Sequence, residues 1–285
     1  MKIPKRLEPL IHDGLIDEVI GQLKSGKEAT VYLVRSKGVL RCAKVYKDAH
    51  HRSFKQAATY REGRKVRNTR DARAMEKGSR FGKQELEDAW QNAEVSALYR
   101  LAEAGVRVPT PYGCFDGVLI MDMVADAAGQ PAPRLSEVAF SHEEALETHD
   151  ILVREVVRML CAGLVHGDLS EYNILMDTKG PVIIDLPQAV DAAGNNHARA
   201  MLERDVGNLA LFFGQFAPEL LDSRYGPEIW LIYESGELTP DVELTGIVEE
   251  DDTPADLDSL LREIMDAREE EERRREREAA ADSDD

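Results

Sequence analysis

His166-Gly-Asp-Leu-Ser-Glu-Tyr-Asn-Ile-Leu175 places Asp168 and Asn173 five residues apart, just before a short apolar run. The turn Thr178-Lys179-Gly180 leads into a second run, Val182 to Asp185, so Asp185 stands twelve residues beyond Asn173. Two short strands joined by a glycine turn would therefore carry an aspartate and an amide at one end and a second aspartate at the other. Phosphoryl transfer from a nucleotide needs this arrangement. One carboxylate lies near the acceptor, while an amide oxygen and a second carboxylate hold Mg²⁺ against the phosphates. Taken singly, Asp168 reads as a turn cap, Asn173 as a backbone hydrogen-bonder and Asp185 as a strand end. Their joint spacing favours the chemical reading.

The surrounding pattern divides the chain in two. Leu7 to Leu15 has helical spacing, and Ile16–Leu23, Ala29–Arg35 and Val39–Tyr46 read as antiparallel strands punctuated by Gly26 and Gly38. Gln84 to Ala104 has a helical apolar side, Val118 to Val124 reads as a strand, and Gly129 to Pro133 as a linker. Beyond it the pattern is helical: Glu143 to Ala162, closed by Gly163, then Ala198–Phe213, Pro218–Leu221 and Pro227–Tyr233. The expected organisation is an N-terminal helix over 1–15, a strand-rich lobe over 16–124, a helical lobe over 125–250 and a charged tail over 251–285. A cleft between the lobes is the natural ligand site.

Lys44 sits in an apolar strand between Ala43 and Val45, where an ammonium needs anionic company. Glu94, beside the apolar positions Ala93 and Ala97 of the following helix, is the best partner. The alternative is a lysine snorkelling from an edge strand.

The chain resembles the RIO family of atypical serine/threonine kinases, within the protein kinase-like superfamily, and in particular its prokaryotic members. The resemblance rests on Ser25-Gly-Lys-Glu-Ala-Thr-Val-Tyr32, Ala43-Lys-Val-Tyr46, Ala104-Gly-Val-Arg-Val-Pro109, Ala132-Pro-Arg-Leu135, His166 to Leu175, Ile184-Asp-Leu-Pro-Gln-Ala-Val190 and Glu203-Arg-Asp205. It implies an α+β, two-lobed protein kinase-like fold, with an antiparallel-sheet N-lobe, a mainly helical C-lobe and ATP in the cleft. The implied cofactors are ATP with Mg²⁺ or Mn²⁺. Ser25 and Lys27, in a turn whose backbone N–H groups can cradle phosphates, would bind ATP with Lys44, and Glu94 would orient Lys44. The Asp122 carbonyl and the Val124 amide would meet the adenine edge, with Met121 behind it. Asp168 would act on the acceptor hydroxyl, Asn173 and Asp185 would hold the metal, and Asp205 would accept backbone N–H groups of the catalytic loop. The family also admits phosphoryl transfer to the metal-binding aspartate itself, which is Asp185, giving an ATPase cycle.

Departures from ordinary protein kinases are as informative. His166-Gly-Asp lacks their arginine, Asp185-Leu-Pro replaces Asp-Phe-Gly, and no Ala-Pro-Glu follows. His-Gly-Asp also occurs in small-molecule kinases of the aminoglycoside and choline type, which is the rival enzyme reading.

Charge points to partners. The 285 residues carry a formal net charge of −18, yet Arg52 to Lys83 holds eleven Lys or Arg against three Asp or Glu. A basic island in an acidic chain suits an anionic partner such as ribosomal RNA or a ribosomal subunit, or is a solvated surface insertion. A nucleotide-gated RNA-binding module is thus a second functional class beside an enzyme with a protein substrate or one that phosphorylates itself. No run approaches a membrane span, and the start lacks the apolar stretch of a secretory signal. Cys42, Cys114 and Cys161 form no Cys-x-x-Cys. These features predict a cytoplasmic, reduced protein.

Overall fold

The structure, a computed structural model, describes residues 3–26, 28–47 and 93–248. Lys27, the basic island 52–83 and the tail 251–285 lie outside the described residues, as do residues 84–92 of the expected 84–104 helix.

The N-lobe is an antiparallel five-stranded sheet: β1 (Glu18–Ser25), β2 (Ala29–Ser36), β3 (Val39–Tyr46), β4 (Pro111–Phe115) and β5 (Val118–Asp122), in the order β1-β2-β3-β5-β4. Strand β4 was not expected from sequence; it is short, and only Pro111 along it is buried, so it carries little apolar periodicity. Alternation along the strands splits the sheet into two faces. Val34, Ala43, Val118 and Ile120 pack beneath Leu7 and Leu10, of which Leu10 lies on α1 (Glu8–His12). The opposite face, with Tyr46 and Leu119, packs on Ala97, Leu98 and Leu101 of helix α2 (residues 93–103) and joins the core of the helical lobe.

The C-lobe begins beyond the linker. Helix α3 (His142–Cys161) opens with Ser141 Oγ accepting the Glu144 N–H while the Glu144 carboxylate accepts the Ser141 N–H. That reciprocal cap satisfies two donors a helix start otherwise leaves unpaired. Short strands β6 (Leu164–Val165) and β9 (Val190–Asp191) pair with each other, and β7 (Ile174–Asp177) and β8 (Gly180–Ile183) form the expected hairpin. Helices α4 (Ala198–Phe213) and α5 (Tyr225–Ser235) complete the lobe, with a 3-10 turn at Pro218–Asp222 between them. Among the described residues, no helix is long and apolar enough to cross a membrane. The three cysteines are free thiols.

Arg107, in the segment after α2, ties the lobes together behind the cleft. Its N–H donates to the buried Glu155 of α3, its carbonyl accepts the Ile183 N–H, and one guanidinium nitrogen, Nη2, donates to both oxygens of Asp177 at 2.7 and 2.9 Å. Charge-assisted hydrogen bonds of this kind are stronger than neutral ones.

His149 of α3 is buried against the rings of Phe213 and Tyr225, and burial pushes its imidazole down to about 4. An unfolded histidine takes its proton near 6.5. Between those values the unfolded chain binds the extra proton, so stability falls as the pH drops through that window. Lowering the pH from 7 to 5 is expected to remove up to about 2 kcal/mol through this residue. Denaturant midpoints at the two pH values should therefore lie closer together in His149→Phe than in the parent protein.

Candidate active site

The β3 register places Lys44 opposite Val31 on β2 and Leu119 on β5, facing α2. Its ammonium lies 2.5 Å from Glu94 Oε1 and 2.9 Å from Asp185 Oδ1. The predicted Lys44–Glu94 pair is thus present and extends to a second carboxylate from the other lobe. Tyr46, on the same face of β3, donates its hydroxyl to Glu94 Oε2 at 2.8 Å. The Lys44 and Glu94 side chains are nearly buried, 11% and 5% exposed, whereas Asp185 is 45% exposed. Burial pulls the Lys44 ammonium down, but Asp185 and Glu94 outweigh it and hold it well above its ordinary value. Partial desolvation raises the Asp185 carboxyl, but Lys44, with a smaller contribution from Lys24, more than reverses that. Tyr46 was missed from sequence because a tyrosine ending an apolar strand looks like core; burial and the Glu94 carboxylate raise its phenol, so it stays a donor.

Asn173 and Asp185 come together through the β7–β8 hairpin. The Asn173 carbonyl accepts the Ile184 N–H, one residue before Asp185. The Asn173 amide nitrogen donates to the Asp168 carbonyl at 2.8 Å, which leaves its oxygen as the atom suited to a cation. Asp185 itself adopts a left-handed backbone, φ 64°. Oxygen donors of this type fit Mg²⁺, which takes one or two protein ligands and completes its shell with phosphates and water. Asp168 is exposed at the mouth of the loop, while His166 beneath it is buried. Burial pushes the His166 imidazole down to about 4. Neutral, it can accept the Asp168 N–H at Nδ1 and donate from Nε2 to the Ile184 carbonyl.

Helix α4 holds the loop from below. Asp205 accepts the Gly167 and Leu169 N–H groups at 2.7 and 2.9 Å, Asn208 donates to the Leu169 carbonyl, and the Arg204 guanidinium to the Gly167 carbonyl. The backbone-holding role expected for Asp205 is therefore met. Burial pushes its carboxyl up to about 7, opposed by Arg204 and the two N–H donors. Asp205→Asn should set an amide NH₂ against one of those N–H groups. The expected loss is about 1–3 kcal/mol of stability, read by thermal melting and accompanied by slower turnover.

Ser25 ends β1, with its hydroxyl 3.3 Å from Thr30 Oγ1 and 3.3 Å from Lys47 Nζ. The Gly26 N–H closes the turn onto the Ala29 carbonyl. At the far side of the cleft the Asp122 N–H donates to the Thr110 carbonyl and its carboxylate accepts from Tyr112, while the Val124 carbonyl accepts the Ala132 N–H. Met121, Leu98, Leu186 and Pro109 line the pocket around Lys44, Glu94 and Asp185.

The RIO domain family matches residues 30–225. A RIO-type serine/threonine-protein kinase of Haloferax volcanii is 38% identical over 206 residues, covering 72% of this chain and 66% of that protein. One of Methanocaldococcus jannaschii is 34% identical, covering 70% and 63%. A human serine/threonine-protein kinase is 32% identical, covering 70% of this chain but 34% of its own length. The matched segment thus spans from about a third to about two thirds of these relatives.

Proposed function

The chain belongs to the RIO family, and from that premise we propose that it is an ATP-dependent serine/threonine protein kinase working with Mg²⁺ or Mn²⁺. One observation carries the reading: Lys44 pairs at once with Glu94 and with Asp185, which the β7–β8 hairpin sets beside Asn173. In this reading Lys44 holds phosphate oxygens and Glu94 fixes its position. The turn formed by Ser25, Gly26 and Lys27 covers the phosphates, and the Asp122 carbonyl and Val124 amide receive the adenine edge. Asn173 and Asp185 hold the cation, which neutralises charge on the transferring group when bound. Asp168 accepts or orients the proton of the attacking hydroxyl. The relatives reported above are named protein kinases, which favours a protein acceptor over a small molecule.

Incubating the purified chain with radiolabelled ATP tests this. Acid-stable phosphoserine or phosphothreonine supports protein kinase activity, whether on a substrate or on itself. A hydroxylamine-labile acyl phosphate with release of free phosphate would instead assign the main activity to an ATPase cycle through Asp185. Absence of both products would overturn the reading. Free thiols favour a cytoplasmic location. The +8 balance of residues 52–83 favours ribosomal RNA or a ribosomal subunit as partner, which co-sedimentation with ribosomal subunits, with and without ATP, would check.

A further inference from the structure

Strand β1 pairs with β2 through two irregularities. Val19 faces Val34, Gly21 faces Leu33, Gln22 faces Tyr32, Lys24 faces Val31 and Ser25 faces Thr30, so Ile20 and Leu23 are extra residues on β1. The second bulge decides what β1 shows to the cleft. Directly opposed residues share a face, and Val31 is in turn opposite Lys44. Lys24 therefore rises from the same face as Lys44, two strands away, which is about 10 Å between their backbones. An unbulged β1 would put Leu23 there and turn Lys24 over with Thr30. Bulges commonly re-aim a side chain beside a site in this way. Ser25 goes the other way: its hydroxyl meets Thr30 and Lys47, and Thr30 is opposite Val45, on the face covered by Leu7 and Leu10.

We propose that Lys24 is a phosphate-binding residue of the nucleotide site, meeting the outer phosphates of a nucleoside triphosphate while Lys44 holds the inner ones. The inference rests on the nucleotide reading above and adds to it a side chain outside the Ser25-Gly-Lys turn. Two ammonium groups rooted about 10 Å apart on one face suit a chain of phosphates better than a single one. Lys44 touches the Asp185 carboxylate at 2.9 Å. The terminal phosphate of a triphosphate carries the most negative charge of the three, so it gains most from a second ammonium on this face. Lys24 is solvent-exposed, so its contribution is screened by salt, unlike that of buried Lys44.

The test is binding of a non-hydrolysable ATP analogue with Mg²⁺, compared with adenosine, to the full chain and to Lys24→Met, Lys24→Arg, Lys44→Met and Lys179→Met. Lys24→Met is expected to weaken analogue binding about tenfold while leaving adenosine binding unchanged. The loss should shrink at high salt, Lys24→Arg should recover most of the affinity, and Lys179→Met, in an exposed turn, should match the parent. If Lys24→Met binds the analogue like the parent while Lys44→Met loses it, the inference about Lys24 fails and the nucleotide site stands. If the parent itself binds neither ligand, the nucleotide reading fails and takes this inference with it. An equal loss of adenosine in Lys24→Met would also overturn it, since the effect would then not be on phosphate.

Discussion

Asp185→Asn is expected to lower cation-dependent turnover of ATP by about a thousandfold or more, with the fold intact. A carboxylate facing a divalent cation and phosphates supplies several kcal/mol of charge stabilisation, and each 1.36 kcal/mol is about a tenfold change in rate. The amide keeps the shape and one oxygen but loses the charge. The backbone explains why the variant should fold. At φ 64° most residues are strained, whereas asparagine tolerates the left-handed region about as well as aspartate. Asp185→Ala would confound loss of the ligand with backbone strain. A folded Asp185→Asn protein, checked by circular dichroism and melting, that turns over ATP normally would remove Asp185 from the reaction.

Lys44→Ala should damage both rate and stability, and the two can be separated. Removing the ammonium leaves the Glu94 carboxylate, 5% exposed, with the Tyr46 hydroxyl as its remaining described partner. Breaking a buried pair from one side costs about 3–5 kcal/mol, because the remaining charge is stranded. Lys44→Met with Glu94→Gln removes that charge and should recover much of the melting temperature. Turnover should stay down by at least about 10²–10³-fold, the usual loss when one preorganised donor is taken from a developing charge. Lys47→Ala is the internal comparison. Its ammonium sits at Ser25 on the other face of the strand, so its loss should be far smaller. Equal losses in the two alanine variants would show that the β3 register does not define the site.

The longer helices and the β2 and β3 strands were legible from their apolar patterns, and β7 and β8 as short apolar runs either side of a glycine turn; α4 spans Ala198–Phe213, the interval its pattern marks. The Lys44–Glu94 pair was legible for a related reason, since a lysine flanked by apolar strand residues must find a carboxylate. What escaped had no periodic signature. Strand β4 is exposed over most of its length, and Arg107 gives no sign in sequence that it bonds three partners from the other lobe. Lys24 escaped because simple alternation, applied across a bulge, assigns it to the wrong face. The resemblance puts Ser25 in the phosphate turn, and there its hydroxyl is engaged with Thr30 and Lys47, leaving backbone N–H groups as the donors the turn would offer.

The Arg107 attachment also bears on how the cleft can breathe. Besides the covalent linker after β5 and the Lys44–Asp185 pair, the lobes are joined by the bonds of Arg107 to Glu155, Asp177 and Ile183. A core shared by both lobes runs between them. Parting them as separate bodies would break the Arg107–Asp177 ion pair, the hydrogen bonds of the Arg107 backbone and apolar packing together. The β1–β2 edge is tied down less: β1 is bulged twice and mostly exposed. The least-tied wall of the pocket is therefore the β1–β2 rim, and the expected route of access is a local flexing of that rim and not a parting of the lobes.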